Sequence, residues 1–137
     1  MRKKRGQASF EYLILMGFVT LVLAGILGIA FFYTSGIQDR VRVSQVSNFA
    51  NKIISAAEYI YSSGEPSKTT VVAYLPENVK NITIEENLLL ISLQTSSGLN
   101  RIGFPSSVNI TGNIPFSPGL KKLEIEAEIT GARITPV

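Results

Sequence analysis

Hydrophobic and polar positions divide the chain into three regimes. From Tyr12 to Tyr33 the sequence YLILMGFVTLVLAGILGIAFFY runs 22 residues without a charge. At 1.5 Å per residue a helix of that length spans roughly 33 Å, enough to cross a bilayer. From Tyr33 to Ser62 the pattern stays helical and turns amphipathic. Val46, Phe49, Ile53, Ala57 and Ile60 recur at three- and four-residue steps, with Lys52 and Glu58 off the stripe. After Lys68 the period falls to two. TTVVAYL, VKNITIE, NLLLISLQ, SVNIT and KKLEIEAEI read as short strands separated by turns.

All six prolines lie at Pro66 or beyond, so nothing interrupts a helix in the first 65 residues. The segment Ser62–Lys68 carries the glycine and proline that stop one. The expected organisation is a basic leader over 1–6 and a long N-terminal helix over 7–62, with 12–33 apolar and 37–61 amphipathic. A linker over 63–68 and a β-rich head over 69–137 follow. Ser35-Gly36, where Ser35 and Gln38 have capping-box spacing, is the place where such a helix could kink. The fold class is α+β: a long apolar helix followed by a small all-β head, a sandwich or barrel of five to seven strands. Glu86-Asn87 is the expected tight turn between Ile84 and Leu88. In the last run Leu123, Ile125, Ala127 and Ile129 share the buried face, with Glu124, Glu126 and Glu128 opposite.

Composition narrows the chemistry. There is no cysteine, no histidine and a single aspartate, Asp39, which removes disulfides, His-based metal sites and any aspartate dyad. The pI near 9.3 comes from the leader, since without Arg2, Lys3, Lys4 and Arg5 nine cations would face ten acids. No basic stripe interleaved with aromatics points to nucleic acid. The same four cations predict a cytoplasmic N-terminus with the C-terminal body outside the cell. Glu124, Glu126 and Glu128 have the ligand type for Ca²⁺ but read more simply as a solvated strand face. No nucleophile arrangement is present, so neither an active site nor a cofactor nor a metal site is expected.

One acid stands out. Glu11 lies at the entrance to the apolar run, where a carboxylate is costly unless something neutralises it. Around it, the basic leader ends in Gly6 and continues as Gln7-Ala8-Ser9-Phe10-Glu11-Tyr12. This Q-x-S-x-E-Y pattern resembles the class III signal peptide of archaeal type IV pilin precursors. The stretch Gly64–Val79 also resembles the helix-to-head junction of such proteins. The glycine-rich start of archaellins is missing.

The resemblance implies cleavage between Gly6 and Gln7 by a membrane-embedded prepilin peptidase. Mature subunits would polymerise into a helical filament, driven by an assembly ATPase and a membrane platform protein, with the lipid bilayer as host beforehand. Surface adhesion is the implied use. In such a filament the new amine at Gln7 can pair with Glu11 of a neighbouring subunit and fix axial register. Alternatively, Glu11 simply snorkels to the membrane interface. Thr20, Ala24 and Gly28 form a small-residue face on which helices can approach closely. A non-polymerising anchored protein, a minor pilin or a stator-like binding module, carries the same leader and is the competing expectation. Asn81-Ile82-Thr83 and Asn109-Ile110-Thr111 are sequons, and strand alternation turns both asparagines to solvent, which fits an exported glycoprotein.

Overall fold

A computed structural model describes residues 4–137, with side chains from residue 9 onward apart from position 35. One helix and seven strands follow in order: α1 (Lys4–Ser63), β1 (Lys68–Leu75), β2 (Val79–Glu85), β3 (Leu88–Thr95), β4 (Gly98–Pro105), β5 (Ile110–Gly112), β6 (Gly119–Glu128) and β7 (Gly131–Pro136). The chain divides into two compact units, one up to Gln38 and one from Asp39 to Val137.

α1 covers 60 residues with no break in its helical backbone at Ser35-Gly36, so Ser35 starts no new helix there. The helix ends where its sequence runs out of helical residues. Ser62 and Ser63 donate their hydroxyls to the Tyr59 carbonyl at 2.7 and 2.9 Å. Gly64 takes the left-handed conformation, φ 78°, and its N–H reaches the Tyr61 carbonyl. Pro66 then bars continuation.

The second unit contains two sheets. The first has strand order β1-β6-β7-β5, antiparallel except for the parallel pair β5–β7, and the second is the antiparallel meander β2-β3-β4. Glu86-Asn87 makes the β2–β3 turn with Glu86 at φ 47°. Ser96-Ser97 makes the turn between β3 and β4. Strands β4 and β7 have no counterpart among the runs expected from alternation.

Val46, Phe49, Ala50, Ile53, Ile54 and Ala57 of α1 join one buried cluster with Val71, Ala73 and Leu75 of β1, Leu89, Ile91 and Leu93 of β3, and Leu123 and Ile125 of β6. The amphipathic half of α1 is therefore part of the head's core. Ile129, expected to share the buried face of β6, is 83% exposed. The strand ends at Glu128 and turns there, so the alternation stops one residue short of it.

Within the first sheet, β5 and β7 approach so closely that only glycine fits at two positions. A Cβ on Gly112, whose φ is 117°, would fall 2.0 Å from the Ile134 carbonyl oxygen, and one on Gly131 would fall 2.1 Å from that of Asn109.

Candidate functional site

The first unit is a helix whose apolar side chains have no cover. Leu13, Leu21, Phe31 and Tyr33 are each about 70% exposed or more, and the most apolar stretch of α1 is entirely unburied. It is the one helix among the described residues long and apolar enough to cross a membrane. A soluble single chain rarely leaves so large an apolar surface in water.

Glu11 lies exposed at the start of this surface. Met1, Arg2 and Lys3 of the leader lie outside the described residues. Gly6 and Gln7 fall within the helical backbone, but their side chains lie outside those described. Four and eight residues separate Thr20 from Ala24 and Gly28, so the three share one helix face. The Thr20 hydroxyl donates to the Met16 carbonyl at 2.8 Å. It thus brings no unsatisfied group into an apolar setting. A Cβ added at Gly28 would meet nothing within 4 Å. The small-residue face is open to a neighbouring helix.

In the second unit α1 holds the β head by two carboxylates. Asp39 accepts from the Ser96 N–H at 2.9 Å and from the Ser96 hydroxyl, while its other oxygen lies 3.3 Å from Arg42 Nη1. The hydroxyl and N–H of Ser96, then Arg42, hold the Asp39 carboxyl below its ordinary range. Glu58 accepts from the Ser107 N–H at 2.8 Å, and that bond pulls the Glu58 carboxyl down as well. Nineteen residues of helix separate the two acids, about 28 Å. Ser96 and Ser107 lie just before and just after β4, so both ends of that edge strand are tied to one helix. Nothing in the local sequence signals these pairs.

Glu124, Glu126 and Glu128 are half-buried and paired. Lys68 Nζ lies 3.1 Å from Glu126 and 3.8 Å from Glu124, and Arg133 Nε lies 2.6 Å from Glu128. The β1–β6 and β6–β7 registers bring these cations across from adjacent strands. Among the described residues no three acids, histidines or cysteines gather where they could hold a metal ion. Two open grooves border α1. One, of about 360 Å³, lies between Phe49 and Lys52 of α1 and Val72, Tyr74 and Leu120 of the first sheet. The other, of about 440 Å³, lies beside Asp39, Val43 and Thr95. Its lining is mostly polar, with Arg40, Ser44, Ser97 and Asn100 beside Asp39.

The two sequons differ. Asn81 is exposed on β2, and its Nδ2 donates to Thr83 Oγ1 at 3.1 Å. Asn109 is half-buried, and its carbonyl accepts from the Ala132 N–H at 2.8 Å.

No protein-family model, curated protein or solved structure matches this chain.

Proposed function

We propose that this protein is the structural subunit of a type IV pilus-like filament. It is inserted first as a single-pass membrane precursor with its β head outside, processed between Gly6 and Gln7, and then polymerised through α1. The observation that carries the reading is an uncovered apolar helix, Tyr12–Tyr33, preceded by a lone carboxylate and a basic leader, on a chain that continues into a packed β head.

The physical chemistry supports the two-state life this requires. In either the bilayer or a filament core the apolar surface is kept from water, at about 25 cal/mol per Å². That contribution cannot by itself favour one over the other, since lipid tails are as apolar as leucine. The choice falls to packing and to charge. Thr20, Ala24 and Gly28 let neighbouring helices come close. Glu11 is costly alone and is relieved by the Gln7 amine of an adjacent copy. The partners implied are other copies of the chain, a prepilin peptidase, an assembly ATPase and a membrane platform protein. No part of this reading assigns catalysis to the chain.

The deciding experiment is the intact mass and N-terminal sequence of protein sheared from the cell surface. Abundant protein starting at Gln7 in recovered filaments is the expected result. Protein confined to membranes and still beginning at Met1 or Arg2 overturns the filament reading and favours a permanently anchored accessory protein.

A further inference from the structure

Both sequons have the residues a glycan transfer needs, but only in the first is the acceptor asparagine, Asn81, exposed. Asn81 lies on β2, an edge strand of its sheet, directly after a β-bulge. The pairing runs Val79 with Leu93 and then Asn81 with Ser92, leaving Lys80 without a partner. That extra residue lets Val79 and Ile82 both point into the core while Lys80 and Asn81 both face solvent. In a regular strand Ile82 and Asn81 could hold those faces, but Val79 could not also be buried. The Asn81 amide and the Thr83 hydroxyl then stand together on the outer face, 3.1 Å apart. Leu90 and Ser92 lie beside them on β3.

Asn109 is the opposite case. It is half-buried, its carbonyl is bonded to Ala132, and its Cβ lies so near Gly131 that a Cβ there would be 3.0 Å away. The following residues Ile110–Gly112 are paired with β7. Both sequons are thus strand-paired, Asn81–Thr83 with β3, and what sets Asn109 apart is its partial burial and its tight backbone contact with Gly131 and Ala132.

We infer that Asn81 is the N-glycosylated residue of this protein and that Asn109 is not modified. The donor is an oligosaccharide linked through phosphate to a membrane lipid. Asn81 Nδ2 attacks the anomeric carbon, the sugar–phosphate C–O bond breaks, the lipid phosphate leaves with the bonding pair, and the amide proton passes to a base of the transferase. This inference rests on the proposed placement of the head outside the cell.

The test is peptide-resolved mass spectrometry of the full-length protein isolated from the cells that make it, alongside N81Q, T83A, T83S and N109Q. Sugar mass on the Asn81 peptide is expected, with all of it lost in N81Q and T83A and retained in T83S and N109Q. Using both N81Q and T83A guards against one variant failing to fold. Sugar on Asn109, or an Asn81 peptide wholly unmodified, overturns the inference. Protease added to intact cells separates the two failures. A head that is cleaved yet sugar-free overturns only this inference, whereas a head that is protected overturns the proposed placement and this inference with it.

Discussion

Replacing Ile53 by alanine tests whether the amphipathic half of α1 belongs to the head. Ile53 is 0% exposed and sits in the cluster that both sheets share. Removing its three outer carbons forfeits most of its transfer free energy, about 1.5–3 kcal/mol for the whole side chain, and leaves a cavity. Together these place Ile→Ala at about 2–5 kcal/mol. Alanine's better helix propensity returns a few tenths, about 0.4 kcal/mol. The unit from Asp39 to Val137 has the size for which each kcal/mol moves the midpoint by about 4–8 °C. The expected fall in Tm is therefore roughly 6–37 °C. Calorimetry of the detergent-solubilised full chain reads it. Ile14→Ala is the control. Ile14 is 56% exposed, and its replacement should leave the head's Tm within about 4 °C. If the two variants shift the midpoint equally, or Ile53→Ala stays within that margin, α1 does not close the head's core.

The remaining predictions concern charge, backbone and assembly. Because the Asp39 and Glu58 carboxyls titrate below their ordinary range when folded, their stabilisation is complete above the unfolded values, near pH 4, and drains away as pH falls through the lower folded ones. Acid melts should show it, and D39N should flatten that slope; an unchanged slope would remove Asp39 as its source. Gly112→Ala combines a positive φ with a backbone clash and should cost more than Gly64→Ala, which has open space and only the conformational penalty of about 1–2 kcal/mol. Equal costs in the melt would mean the β5–β7 approach can relax. Glu11→Gln, which keeps the shape and removes the charge, should insert into membranes normally yet yield far fewer filaments per membrane-bound copy. An equal yield would exclude a register-setting role for Glu11.

Much of the fold was legible in local pattern. The apolar run, the stripe Val46-Phe49-Ile53-Ala57-Ile60 and the helix stop at Gly64-Pro66 are written in nearest-neighbour chemistry, and all five stripe residues are buried. β4 was not legible, because Gly98-Leu99-Asn100-Arg101-Ile102-Gly103-Phe104-Pro105 is an edge strand with little of it buried. Alternation weakens where neither face needs to be apolar. β7 is short and gains its place from β6. The carboxylate clasps were invisible for a different reason. Asp39 and Ser96 are 57 positions apart, and Glu58 and Ser107 are 49 apart, so only the tertiary fold brings them together. The difference between the sequons likewise depends on one bulge and one strand pairing, neither of which the N-x-T pattern encodes.

The strand order of the first sheet also fixes when the head can form. β1 is made soon after α1, yet its neighbour is β6, in a register that joins Lys68 to Glu126. The two middle strands of that sheet, β6 and β7, are made after the other five. Until they emerge, β1 and β5 have no sheet to join and the apolar stripe of α1 is only half covered. Long-range pairings of this kind fold slowly. A nascent chain halted at residue 118 would possess five of its seven strands and still lack the centre of a sheet. A head without β6 and β7 would therefore present exposed strand edges and apolar surface instead of a nearly finished domain.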